Sequence, residues 1–352
     1  MKNFDTRTYN ISDFQEWQIA NLLDLSPQFQ RRSVWTEKAK SYLIDTILRG
    51  RPIPKVLMTQ NLSQGRNIRT VVDGQQRLRT ILSFISGDFK VSRAHNKELA
   101  NLTFDELPDA IKSDFLKYEI GVDMLFDLSF EDILDVFARL NTYSVKLNEQ
   151  ELLNAQYLGF FKQTAYSLGY RYVRYWIDAG VLSEKEVTRM AESELASDLL
   201  GTLISGIQSK KAIPSYYKKF DDDEAATNMA EEQFHRVMAF IGAIYPAEEL
   251  KQTNFTRIHF FHSLFSTIAH ALFGLPNLED IPRAAMTPDS IGKARACLDD
   301  VSAQYDQITN GLSEAPNKNF KEFIDASRRA TTDAGSRKVR TSFLTSALLS
   351  AD

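Results

Sequence analysis

Strand-forming runs are confined to the first third of this 352-residue chain. Lys55 to Gln60 (KVLMTQ), Ile68 to Asp73 (IRTVVD) and Tyr118 to Phe126 (YEIGVDMLF) are rich in β-branched and aromatic residues. The first two are separated by turn residues that include Gly65, so they are expected to pair as a hairpin. From about residue 148 onward, apolar residues recur at helical spacing and the strand signal fades. An α+β fold follows. A small mixed sheet with helices occupies an N-terminal domain, residues 1–160, and an all-helical domain occupies residues 161–352.

Helices are expected in the first domain over Thr36 to Arg49, Gln75 to Ser86, Leu107 to Asp114 and Glu131 to Leu140. Gly50 and Gly87 stop the first two. From about residue 148 onward they are expected over Glu149 to Leu158, Glu184 to Leu203, Glu231 to Ile244, Ile258 to Phe273, Ile291 to Thr309, Lys318 to Ala330 and Gly335 to Leu349. Asp221 to Glu224 (DDDE) reads as an exposed connection. Phe260 to Leu275 is the most apolar stretch, but His262, Ser263, Ser266, Thr267 and His270 interrupt it. It is shorter than the roughly 18–20 residues a membrane span needs, so a buried helix is expected and no membrane partner. The N-terminus lacks an apolar signal region, and the single cysteine, Cys297, allows no internal disulfide. Both features point to the cytoplasm.

Charge is unevenly placed. The net charge is −4, yet residues 28–95 hold thirteen Lys and Arg against four Asp and Glu, a net of +9, which leaves −13 elsewhere. A basic patch in an acidic chain points to a polyanion site rather than a solubility device; the alternative is that these cations pair with acids of the other domain.

The segment VVDGQQRLRT (71–80) carries the most chemistry. A strand ends at Asp73, Gly74 follows, and a helix opens at once. The first N–H groups of a helix have no intrahelical partner and attract anions. Gly74 lets a phosphate approach the backbone, Gln75 and Gln76 offer amides, and Arg77 offers a fork matched to phosphate oxygens. Arg79 lies about 200° around the helix from Arg77, so Arg77 is the candidate. Asp73 has four readings: it holds a divalent ion, positions water, orients Arg77 or caps the helix.

Two further blocks flank this segment. PQFQRRSVWTEKAKSYLIDTILRGRPIPKVLM (27–58) places Gln30 and Arg31 upstream, with Trp35 as a core anchor. FARLNTYSVKLNEQELLNAQY (137–157) places Arg139 and Asn141 downstream, and its Asn148 and Glu151 form a capping box. Together the three blocks resemble the GmrSD restriction-endonuclease N-terminal domain family, whose hallmark is DGQQR. The resemblance implies a ParB- and sulfiredoxin-like fold for the first domain. It also implies binding, and often hydrolysis, of a nucleoside triphosphate with Mg2+, coupled to restriction of modified DNA. Carried onto this chain, the catalytic residues are Asp73 and Arg77. The nucleotide-binding set is Gln30, Arg31, Asp73, Gly74, Gln75, Gln76, Arg77, Arg139 and Asn141.

The partners implied are nucleotide, DNA and a separate HNH nuclease subunit, with homo-oligomerisation left open. None of the five histidines stands in an HNH pattern, and the His259–His262 pair lies in an apolar run. No protein metal site is expected there. Two other readings remain: a ParB-like DNA-binding module without turnover, and a metal-dependent nuclease in its own right. Near the C-terminus, Arg328, Arg329, Arg337, Lys338 and Arg340 read either as DNA phosphate contacts or as a solvated helix face.

Overall fold

The structure is a computed structural model. It describes residues 4–25, 35–63, 65–126, 132, 136 and 148–351. The chain divides into two compact units, Met1–Lys146 and Leu147–Asp352. Helices of eight residues or more are numbered in chain order below.

The first unit is built on a five-stranded mixed sheet of order β1-β5-β3-β4-β2. Its strands are β1 (Phe4–Asn10), β2 (Leu23–Asp24), β3 (Val56–Ser63), β4 (Arg66–Asp73) and β5 (Glu119–Leu125). Strands β3 and β4 form the expected antiparallel hairpin, with a register shift between Leu57 and Met58. β5 runs parallel to β3 and antiparallel to β1, and β2 is parallel to β4. Helices α1 (Ile11–Ile19), α2 (Glu37–Leu48), α3 (Gln75–Ile85) and α4 (Asp109–Lys117) complete the unit. Inward residues such as Val56, Met58, Val71, Val122 and Met124 share one core with Leu78, Ile81 and Phe84 of α3. The opposite face carries a smaller cluster of Leu57, Val72 and Leu125, against which Val136 packs. Trp35 is half-buried against the main core, as an anchor would be.

Three elements had no sequence signal. β1 is an edge strand, and its first five residues are exposed, so FDTRTYN lacks an apolar face to mark it. Its end passes directly into α1, where the Asp13 carboxylate accepts from the Asn10 N–H at 2.8 Å. β2 is two residues long. Of the helix expected over 131–140, only Asp132 and Val136 are described, and both are helical.

The second unit is helical among its described residues: α5 (Glu149–Gln156), α6 (Phe160–Asp178), α7 (Ala191–Ser205), α8 (Ile213–Phe220), α9 (Glu224–Ile244), α10 (Ile258–Phe273), α11 (Ile291–Thr309), α12 (Lys318–Arg328) and α13 (Ala334–Ala351). Its centre is α10, buried from Phe260 to Ala271. No helix among the described residues is long and apolar enough to cross a membrane.

Four readings need correction here. α6 escaped notice because FFKQTAYSLGYRYVRYWID is rich in aromatic and β-branched residues, poor helix formers on their own. Packing overrides propensity: Phe161, Leu168 and Trp176 are buried, and a Cβ on Gly169 would come within 3.1 Å of the Glu192 carbonyl. The helix expected over 184–203 is instead a one-turn helix, Glu184–Val187, and α7, broken at Met190 with φ 64°. The DDDE connection is itself a helix start, since the Asp223 carboxylate accepts from the Ala226 N–H at 2.9 Å and α9 begins at Glu224.

The fourth correction concerns the basic C-terminal stretch. Arg337 and Arg340 are buried, so neither a DNA contact nor a solvated face describes them. Arg337 makes a two-pronged bond to Asp198 at 2.8 and 2.6 Å, and Arg340 donates to Ser263 at 2.9 Å and to the Ala326 and Thr331 carbonyls. Arg328 and Arg329 are exposed.

Candidate functional site

The hairpin brings the start of β3 beside the end of β4, where Leu57 pairs with Asp73. Val71 and Val72 fix the last strand residues by facing opposite clusters, one in each. The chain then turns at Gly74, φ 92° and ψ 10°, and α3 begins. A side chain is excluded here twice over. The left-handed backbone disfavours one, and a Cβ would stand 2.9 Å from an Arg77 amino nitrogen and 3.0 Å from Val56 Cγ2. The Gly74 carbonyl accepts the first helical bond, from Leu78 at 3.0 Å. No side chain among the described residues caps α3. The N–H groups of Gln75, Gln76 and Arg77 therefore belong to an uncapped helix start.

Asp73 is not the cap. Its Oδ2 accepts from Arg77 Nη2 at 2.9 Å, the orienting role among its four readings. Arg77 Nη2 also donates to the Lys55 carbonyl at 3.0 Å. The Arg77 side chain is 17% exposed and that of Asp73 is 51% exposed. Arg77 Nε is buried without a partner among the described residues. Buried orphan donors of this kind are uncommon and carry a desolvation cost. Gln75 is turned inward, buried, with its amide nitrogen donating to the Val71 carbonyl at 2.8 Å. Its side chain locks strand to helix, and only its backbone N–H stays at the turn. Gln76 is half-buried. Arg79 points away, as its spacing required, and donates to the Leu25 carbonyl.

The structure thus brings Asp73, Gly74, Gln75, Gln76 and Arg77 into one turn. Gln30, Arg31, Arg139 and Asn141 lie outside the described residues. The expected capping box is present, with Glu151 accepting from the Asn148 N–H at 2.6 Å and Asn148 from the Glu151 N–H at 2.8 Å. Glu151 has a further partner that helix geometry alone did not reveal, Arg189 at 2.9 and 3.0 Å. The break before α7 is what presents Arg189, whose carbonyl also accepts from Asn148 Nδ2 at 2.8 Å.

Sequence reasoning also missed Lys55. Its ammonium donates to Asp123 Oδ1 at 3.2 Å, and the Thr6 hydroxyl donates to that same oxygen. The lysine arm crosses β5 where Gly121 leaves room, since a Cβ there would lie 3.1 Å from Lys55 Cγ. One signal was available: period-2 alternation puts Lys55 on the face of Leu57. Four cations of the basic segment, Arg49, Lys55, Arg77 and Lys90, pair with Asp45, Asp123, Asp73 and Glu106, all within the first unit.

The His259–His262 pair has a structural environment. Both are pushed below the usual histidine range by burial and by neighbouring arginines, to about 4 and about 3 respectively. His262 Nε2 lies 3.2 Å from both Thr202 Oγ1 and Arg337 Nη1, an unsuitable setting for a metal ligand. A 740 Å3 cavity of the first unit lies between the end of α2, residues 94–99 and α4, and none of the described site residues, Asp73 to Arg77, lines it.

The first unit is thus an α+β unit whose sheet ends in a glycine turn, with an arginine folded back over a helix start. Residues 12–158 match the family described as GmrSD restriction endonuclease, N-terminal domain. Among curated proteins, none matches the chain.

Proposed function

We propose that the first unit binds the phosphate chain of a nucleotide at the start of α3. On this reading the chain is the nucleotide-binding subunit of a DNA-restriction system, with cleavage carried out by a separate HNH protein. The observation that carries the reading is the helix start behind Gly74, which has no side-chain cap among the described residues and is covered by a guanidinium whose Nε has no partner among them. The backbone N–H groups of Gln75, Gln76 and Arg77 bind phosphate oxygens, and Arg77 adds charge. The family description, a restriction endonuclease domain, supports the cellular setting and DNA as the ultimate target.

Asp73 serves twice. Its Oδ2 aims Arg77, while its exposed side leaves Oδ1 for water or for Mg2+. Mg2+ is normally held by one or two carboxylates together with substrate phosphates and water, so a single protein carboxylate fits it. When bound, the ion would neutralise phosphate charge; hydrolysis of the nucleotide is the reaction this arrangement suits.

The test is calorimetry of the purified chain with each of the four ribonucleoside triphosphates, with phosphate release and plasmid nicking followed in the same samples. We expect at least one nucleotide to bind, and Arg77→Ala to weaken it about tenfold or more with circular dichroism unchanged. Equal affinity in a folded Arg77→Ala variant removes the assignment. Steeply salt-dependent DNA binding without phosphate release marks the ParB-like module instead, and metal-dependent nicking by the chain alone marks a nuclease.

A further inference from the structure

Lys55 stands one residue before β3, and its backbone is already part of the site, since its carbonyl oxygen is 3.0 Å from Arg77 Nη2. Covalent geometry then places its Cα only about 5 Å from that nitrogen. A lysine arm is long enough to reach any anion that Arg77 touches. Arg77 arrives from α3, which packs on the main-core face of the sheet; Lys55 lies on the opposite face with Leu57 and Asp123. The Lys55 backbone meets Arg77 beside the end of β4, while the Lys55 ammonium rests over β5 on Asp123.

We infer that Lys55 is a second phosphate-gripping cation of this turn, held on Asp123 until a polyphosphate is seated. The inference rests on the nucleotide reading above and deepens it by naming the group that distinguishes a triphosphate from a monophosphate. Three observations carry it. Gly121 is the one point on β5 where the lysine arm crosses without a side chain in its way. The pair is half open to water, with Lys55 55% and Asp123 31% exposed, and exposed ion pairs are weak enough for a phosphate to compete. Asp123 keeps the Thr6 hydroxyl as a partner when the ammonium leaves, so the transfer does not strand a carboxylate.

The experiment compares wild type, Lys55→Ala, Asp123→Asn and Arg77→Ala by calorimetry with a nucleoside triphosphate and the matching monophosphate, with melting temperatures alongside. Lys55→Ala is expected to weaken triphosphate binding about tenfold or more and monophosphate binding by less than about threefold. Asp123→Asn, which frees the lysine, is expected to keep or improve triphosphate affinity. If Lys55 serves only as the ion-pair partner of Asp123, both variants shift the melting temperature alike and neither changes the ratio of the two affinities; that result overturns the inference. Loss of binding in Arg77→Ala with full retention in Lys55→Ala overturns the inference and leaves the nucleotide reading standing. Absence of nucleotide binding in wild type overturns both.

Discussion

Gly74 combines two constraints that are usually separate, a left-handed backbone and a crowded Cβ position. Gly87, at the end of α3, has the first without the second, with φ 78° and open space around it. Replacing each by alanine therefore isolates the clamp. Gly87→Ala is expected to lower unfolding free energy by about 1–2 kcal/mol, the strain of a left-handed residue. Gly74→Ala is expected to lower it by about 1 kcal/mol or more beyond that, because Val56 and Arg77 must also move. Matching chemical-denaturation curves for the two variants would show that the clamp has no packing consequence. At this scale the motif was readable, since strand, glycine and helix each leave a local signal. The Asp73–Arg77 bond was readable too, as one of four options, because the two residues flank one short turn. The inward turn of Gln75 was not, because an amide's choice between a ligand and the Val71 carbonyl depends on what closes around it.

Among the elements, α13 shows how composition misleads. Arg337, Lys338 and Arg340 look like a basic surface in sequence, yet Arg337 and Arg340 are buried where α13 packs on the rest of its unit. The Arg337 and Asp198 side chains are each 4% exposed and joined at 2.6 Å. A buried carboxylate left without its arginine is strongly destabilising, whereas an apolar pair of similar volume is tolerated. Arg337→Leu is accordingly expected to cost about 3–5 kcal/mol in urea unfolding, and the Asp198→Leu, Arg337→Leu double variant is expected to recover most of it. Additive losses in the double variant would contradict this account. Length and amphipathicity revealed the other long helices. α6 was hidden because its stability comes from close helix contact at Gly169 and from buried aromatics, neither of which is a local property.

For the whole molecule, the two compact units have separate cores, and the second holds two buried histidines whose protonation is coupled to folding. His259 and His262 are depressed to about 4 and about 3 by burial and by nearby arginines, so both are neutral when folded. The unfolded chain takes up these protons near pH 6.5, the ordinary histidine value. Their contribution to stability is thus intact above about pH 6.5 and is lost as pH falls toward 4 and then 3. Denaturation midpoints should fall from pH 7 to pH 4.5, and His259→Leu, which removes a buried nitrogen without a partner, should flatten that slope. An unchanged slope in this variant would assign the acid sensitivity elsewhere. From the residues alone came the β3–β4 hairpin, most of the long helices, the confinement of the sheet to the N-terminal part, the strand–glycine–helix turn and the core setting of the HxxH pair, because periodicity, turn chemistry and local apolarity are written over short stretches of chain. Only the tertiary structure decided which charges pair and which are buried: Lys55 with Asp123, Arg337 with Asp198. Those partners lie 68 and 139 residues apart, and nothing local in a sequence encodes a contact at that distance.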